Sequence, residues 1–185
     1  MKDIYNKKSK KVILHKGKYL NFVRRGKWEY VERVNCSGAV IILALTPQKK
    51  VLFVEQFRPA VQKNVVEFPA GLVNDTRKKG RESLLAAAKR ELLEETGYLA
   101  SNMIELMDGP VSSGICSDMM SVVLATGLKR IGDGGGDEWE SIKVHEVPFS
   151  KVEEWLRMKR EKGSLVGTRI YAGLYLLNKY NEIST

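Results

Sequence analysis

The chain has little of what several large protein classes are built on. Its 185 residues include two cysteines, Cys36 and Cys116, and two histidines, His15 and His145. Thiols so few and so far apart build neither a disulfide framework nor a cysteine-rich zinc site, which makes a reducing, cytoplasmic setting the expectation. Both read as buried or half-buried side chains. The histidines show no metal spacing, and His145 in Lys143-Val144-His145-Glu146-Val147 reads as a surface residue of a strand. The longest apolar run, residues 39–45, is far below the roughly 18 residues that a membrane-spanning helix needs. The basic N-terminus has no apolar stretch behind it, so it does not read as a secretory leader. No Gly-x-x-x-x-Gly-Lys-Ser segment is present, which excludes nucleotide handling by a P-loop.

What remains is an ordinary globular balance, with 43% hydrophobic and 29% charged residues. Lys and Arg number 31 against 22 Asp and Glu, a formal net charge of +9. An excess of that size raises the question of nucleic acid. It is concentrated at the periphery, however: five lysines fall within the first eleven residues and four basic residues in Arg77-Lys78-Lys79-Gly80-Arg81. The charge therefore reads as a surface property that would also draw an anionic substrate. Neither nucleic acid nor a membrane is the expected partner.

Residues 12–15, 19–25 and 28–35 are predicted strands, with turns at Lys16-Gly17-Lys18 and Gly26-Lys27. They make a small antiparallel β module over residues 1–35, too small for a core of its own. A larger domain is expected over residues 36–185. There, residues 40–45 and 51–56 flank Thr46-Pro47-Gln48-Lys49-Lys50 and read as a hairpin of buried strands. A short strand at 65–68 is ended by Pro69-Ala70-Gly71, and 74–80 is a loop by composition. The clearest helix is 82–96, stopped by Gly97, with Leu85, Ala88 and Leu92 on a stripe that can bury. Strands are predicted at 121–125 and 142–147 around a glycine turn at 132–136, and helices at 152–159 and 168–179. The mixture points to an α/β sandwich with a mostly mixed sheet.

The chemistry lies in Arg90-Glu91-Leu92-Leu93-Glu94-Glu95-Thr96-Gly97-Tyr98. On a helix, Glu91 and Glu95 share a face about 6 Å apart along the axis, with Glu94 about 100° or less from both. Three carboxylates on one edge repel one another unless something neutralises them. A solvated acidic face with Arg90 paired to Glu94 is one reading of such a run. The other is a hard divalent cation, since Mg²⁺ is held by carboxylates together with substrate phosphates.

The run is not isolated. With Glu82 it gives Glu-x7-Arg-Glu-Leu-x-Glu-Glu-x-Gly-Tyr, which resembles the Nudix box, G-x5-E-x7-R-E-U-x-E-E-x-G-U with U a bulky apolar residue. Eight specified positions match; Thr76 stands where the leading glycine belongs, and Gly71 looks like its counterpart, with five extra residues before Glu82. The resemblance implies a Nudix fold, an α/β/α sandwich, and metal-dependent hydrolysis of a nucleoside diphosphate linked to another group. It implies Glu91 and Glu95 as principal ligands of Mg²⁺ (or Mn²⁺), Glu94 as a third, and the Ala70 carbonyl as a fourth. Glu82 would position Arg90.

Glu55-Gln56-Phe57-Arg58-Pro59 and Glu67-Phe68-Pro69-Ala70-Gly71-Leu72 resemble the ADP-ribose pyrophosphatase branch of that family. In that branch a tryptophan stacks on the base and an arginine five residues later contacts the nucleotide, commonly across a dimer interface; here these are Trp28 and Arg33. The substrate-binding set implied is Trp28, Arg33, Arg58 and Glu67, and a homodimer is implied with it. Arg58 suits the task because its fork matches two phosphate oxygens. The base that takes a proton from water is implied to be Glu140, or alternatively Glu138, behind Gly134-Gly135-Gly136, glycines that would let the loop close over substrate. Ser113 stands where the branch carries a proline, which favours a broad nucleoside diphosphate sugar hydrolase and would sit near the terminal sugar. The rival readings are an RNA 5′-pyrophosphohydrolase and a non-catalytic Nudix-fold sensor.

Overall fold

The computed structural model describes residues 9–74, 82–136 and 140–183. The Arg77–Arg81 run and Glu138 lie outside the described residues. Three strands, β1 (Lys11–Lys16), β2 (Leu20–Arg25) and β3 (Trp28–Arg33), form an antiparallel sheet in that order. β1 is exposed along its whole length, and Val23 is the only residue of the three strands that is fully covered. β3 meets the 114–118 segment: Val31 N–H donates to the Ile115 carbonyl (2.8 Å), and Ser117 N–H to that of Val31 (3.1 Å).

The remainder is built from β4 (Gly38–Ala44), β5 (Lys50–Arg58), β6 (Lys63–Glu67), β7 (Ala70–Val73), α1 (Leu84–Thr96), β8 (Tyr98–Pro110), β9 (Met119–Arg130), β10 (Lys143–Pro148), α2 (Val152–Glu161), β11 (Leu165–Val166) and α3 (Arg169–Ile183). The mixed sheet takes the form of two four-stranded sheets, β7-β4-β9-β8 and β10-β5-β6-β11. Each contains one parallel pair, β4 with β9 and β6 with β11. Both faces of β4 are covered, as the alternation of a strand requires. Val40, Ile42 and Ala44 pack with Ala88 and Leu92 of α1, while Ile41 and Leu43 pack with Leu156 of α2 and Ile170 and Leu177 of α3. That is the α/β/α arrangement. No helix among the described residues is long and apolar enough to cross a membrane.

Two local expectations change, and one strand was not expected. Residues 40–45 and 51–56 do not form a hairpin: β4 and β5 belong to different sheets, and their segments pair as strands only at a Leu45–Val51 bridge. Both strands are buried on two faces, so each finds partners elsewhere rather than in its sequence neighbour. The chain does not stop at Pro69 but re-enters as β7, pairing with β4. β8 carries no strand expectation, because a bulge between Glu105 and Met107 breaks the alternation of its apolar residues.

Candidate active site

Helix α1 starts where Ser83 accepts a hydrogen bond from Ala86 N–H (3.2 Å) and ends at Gly97, whose φ of 75° gives the left-handed cap. Its buried stripe differs from the expected one. Leu85 is exposed, whereas Ala87, Ala88, Glu91, Leu92, Glu95 and Thr96 are buried. Two carboxylates thus sit where an ordinary amphipathic helix places apolar groups, and burying charge costs free energy unless something compensates it.

Arg90 compensates part of it. Its Nε donates to Glu82 Oε1 (3.0 Å), its Nη1 to Glu91 Oε1 (2.8 Å) and Glu94 Oε2 (3.0 Å), and its Nη2 to the Leu72 carbonyl (3.1 Å). Glu82 and then Glu91 and Glu94 hold this guanidinium firmly protonated against its own burial. Asn74 N–H donates to Glu82 Oε2 (3.3 Å) and the Asn74 side chain accepts from Glu82 N–H, so both ends of the segment carrying the five extra residues are fastened to each other.

Glu95 is only 4% exposed. Burial pushes its carboxyl up to about 8; the Ala70 N–H, donating to Oε2 at 3.0 Å, opposes that, and the charges of Glu91 and Glu140 add to it. The Ala70–Gly71 backbone lies directly on the carboxylates. A Cβ on Gly71 would fall 1.9 Å from the Glu91 carboxyl carbon, so only glycine lets strand and helix approach this closely. The glycine loop is fastened to the helix end rather than free to close: Gly135 N–H donates to the Glu95 carbonyl (2.9 Å) and Gly136 N–H to that of Glu94 (3.1 Å). A Cβ on Gly134, at φ +69°, would lie 2.5 Å from the Thr96 carbonyl carbon. This loop delivers Glu140.

These groups line one cleft of about 350 Å³. It collects Arg33, Arg58, Glu67, Ala70, Arg90, Glu91, Glu94, Glu95 and Glu140 from the sequence expectation. Glu82 stands behind Arg90 rather than on the wall. Trp28 is not on the wall either: it is half-exposed, and its Nε1 donates to the Gly114 carbonyl (3.1 Å). The segment around Ser113 therefore lies beside Trp28. Arg33 is paired with Asp118 (2.8 Å) and Arg58 with Glu67 (2.7 Å). Among the described residues no three acidic, histidine or cysteine side chains converge as a preformed cation cage, Glu91 and Glu94 being drawn to Arg90.

Sequence reasoning missed Gln56 and Arg169, which also line the cleft. Gln56 stands inside the segment that carries the branch resemblance, and its neighbour Arg58 was read from it; Arg169 has no local signal. It also misplaced His145. That side chain is half-buried and makes a 2.8 Å contact with Glu55 Oε2. Lys159 donates to the same oxygen, and Ser164 Oγ to Glu55 Oε1 (2.6 Å). Trp155 of α2 stacks on Phe53 at 5.2 Å and meets the His145 ring edge-on at 5.0 Å. The cluster lies on the face of β5 opposite Gln56, one residue along the strand.

A family model for the NUDIX domain matches residues 37–164. An ADP-ribose pyrophosphatase of Bacillus subtilis (strain 168) is 31% identical over 183 residues, with 95% of each chain covered. A GDP-mannose pyrophosphatase of Escherichia coli (strain K12) is 32% identical over 143 residues, 73% of this chain and 71% of that one. A methanol dehydrogenase activator of Bacillus methanolicus is 33% identical over 130 residues, 70% of this chain and 68% of that one. In fold, the chain is similar to the crystal structure of an ADP compounds hydrolase, with a TM-score of 0.71 and 18% identity over 95% of this chain and 93% of that one. The helix of paired carboxylates, the arginine that gathers them and the family match together make this chain a member of the Nudix family, and a Nudix hydrolase.

Proposed function

We propose that this protein hydrolyses the pyrophosphate bond of nucleoside diphosphate sugars, ADP-ribose among them, in the cytoplasm and with Mg²⁺, or Mn²⁺ in its place. The observation that carries the reading is the buried Glu95, its carboxyl pushed up to about 8 and facing Glu91 and Glu140 in a cleft that also holds arginines. Such a cluster suits a hard cation with oxygen ligands. Glu91, Glu95, Glu94 and the Ala70 carbonyl would hold it. Bound there, the cation screens the diphosphate and lowers the pKa of a water.

The chain's own residues do the rest. Arg90, fixed by Glu82, orients Glu91 and Glu94. Glu140 takes the proton of the attacking water, with Glu138 the alternative base. Water oxygen bonds to one phosphorus, the bridging P–O bond breaks towards the other phosphate, and the products are a nucleoside monophosphate and a sugar phosphate. Arg58 and Glu67 bind the substrate, and the indole of Trp28 stacks on the base with Arg33 beside it. The uncovered β1–β3 sheet within the 1–35 module supports a homodimer in which this module, separate from the 36–185 domain, meets a second copy.

The test incubates the purified protein with Mg²⁺ and, separately, ADP-ribose, ADP-glucose, GDP-mannose and triphosphorylated RNA. Release of a nucleoside monophosphate from the sugars is expected. Cleavage of RNA alone, or of nothing in the panel, overturns the reading.

A further inference from the structure

Two polar side chains of the cleft have no partner among the described residues. Gln56 is 8% exposed, yet its amide makes no hydrogen bond to another described residue. What remains accessible of it faces the cleft. Arg169, in the first turn of α3, carries a guanidinium with neither a carboxylate nor a carbonyl partner among the described residues. The other arginines of the wall differ in this respect: Arg90 is held by Glu82, Glu91 and Glu94, Arg58 by Glu67, and Arg33 by Asp118. A ligand using any of those must compete with an existing ion pair. One using Arg169 competes with no side chain among the described residues.

The fold brings the two groups to one wall by strand register. Gln56 pairs with Val65 of β6, and Val65 pairs with Leu165 of β11. Adjacent strands are about 4.8 Å apart, so Leu165 lies about 10 Å from Gln56 across the sheet. Two residues past Leu165, Gly167 N–H donates to the Val66 carbonyl (2.9 Å), and the chain turns into α3 with Arg169 at its head. Behind the sheet, Ser164 is tied to Glu55, the residue next to Gln56 (2.6 Å). The strand carrying the amide and the connector carrying the guanidinium are thus fastened to each other from the far side.

We infer that Gln56 and Arg169 form a phosphate subsite that takes the oxygens of one phosphate of the substrate's diphosphate. The guanidinium offers two parallel N–H donors and the amide a third. A phosphate rather than a sugar hydroxyl is the match, because an unpaired cation on a wall otherwise crowded with carboxylates offsets the repulsion a diphosphate meets there. This rests on the pyrophosphatase reading of the same cleft and adds the groups that hold the anion itself.

The experiment is isothermal titration of ADP-ribose and of inorganic pyrophosphate into the full-length protein in EDTA, where binding is read without turnover. Arg169→Ala is expected to weaken ADP-ribose binding about tenfold, the loss of one charge-assisted contact, with Arg169→Lys intermediate. Gln56→Met, which keeps the volume, is expected to weaken it about threefold. Unfolding midpoints of the variants, measured alongside, verify that each is folded; Arg169 is exposed, so its variants retain the fold. An Arg169→Ala dissociation constant within twofold of wild type overturns the subsite. If wild type binds pyrophosphate but not ADP-ribose, the nucleotide-sugar reading fails, while loss of pyrophosphate binding in Arg169→Ala still supports the subsite. Binding of neither by wild type overturns the subsite, while the pyrophosphatase reading stands or falls on turnover with Mg²⁺.

Discussion

Glu55 and Glu95 are both buried glutamates, 9% and 4% exposed, and the chain treats them in opposite ways. Burial pushes the Glu55 carboxyl up, but hydrogen bonds from Lys159, Ser164 and His145 outweigh it and hold it at about 2. Glu95 receives one backbone N–H and faces two further carboxylates, and its carboxyl rises to about 8. Burial therefore ends in a closed ionic lock on one side of the molecule and, on the other, in a carboxyl with no cation to balance it, which keeps its proton. A carboxylate balanced by the chain's own cations is structural. One left unbalanced in a cleft is poised for a ligand, and burial alone does not tell them apart.

The sharpest way to break that comparison is to remove each charge in turn. Glu95→Gln keeps the volume and removes a ligand of the proposed cation. Turnover of ADP-ribose should fall by roughly three orders of magnitude, about 4 kcal/mol of barrier, while the metal-free protein should be no less stable than wild type. Full activity in this variant would refute the assignment. Glu55→Gln should do the reverse. It leaves Lys159 and His145 without their anion and should cost about 3 kcal/mol in urea unfolding. Below its unfolding midpoint, the variant should keep kcat within about threefold, because no atom of Glu55 lines the cleft. A large loss of kcat with unchanged stability would mean that the lock is part of the chemistry.

Why one cluster was legible in the sequence and the other was not follows from chain distance. Arg90, Glu91, Glu94 and Glu95 lie within two turns of one helix, so spacing alone assembles them. Gly71, the expected counterpart of the leading glycine, lies against the Glu91 side chain, and the Asn74–Glu82 contacts close the segment that carries the five extra residues. His145 and Glu55, by contrast, are 90 residues apart and Ser164 and Glu55 are 109 apart. Only the pairing of β5 with β10 and the path of β11 bring them together, so His145 read as a surface residue. Arg169 was invisible for the same reason, reaching the cleft through a register that runs across three strands. The expected 40–45/51–56 hairpin failed on a related point: sequence adjacency favours a turn, but strands buried on both faces pair with whatever completes their sheets.

The smallest expected effect sharpens the comparison in the pH dependence of stability without metal. In the unfolded chain both glutamates titrate near 4.5. Glu55 is depressed in the folded state, so its contribution is complete above that value and is lost as pH falls towards 2; His145, whose basicity burial lowers, works in the same direction as it is forced to protonate. Glu95 is raised. Between about 4.5 and 8 the unfolded chain has released its proton while the folded chain retains it, so stability falls as pH rises and levels off above 8. Each limb can be no steeper than about 1.4 kcal/mol per pH unit for one proton. Unfolding midpoints measured in EDTA from pH 3 to 9 should therefore fall towards both ends of the range in wild type, with the maximum between the two limbs. Glu95→Gln should flatten the alkaline limb and leave the acid one, whereas Glu55→Gln should flatten the acid limb and leave the alkaline one. Mg²⁺ should lift the alkaline limb of wild type more than that of Glu95→Gln, because a cation replaces the proton that the buried carboxylate otherwise keeps. An alkaline limb identical in wild type and Glu95→Gln would refute the assignment of the raised carboxyl to Glu95.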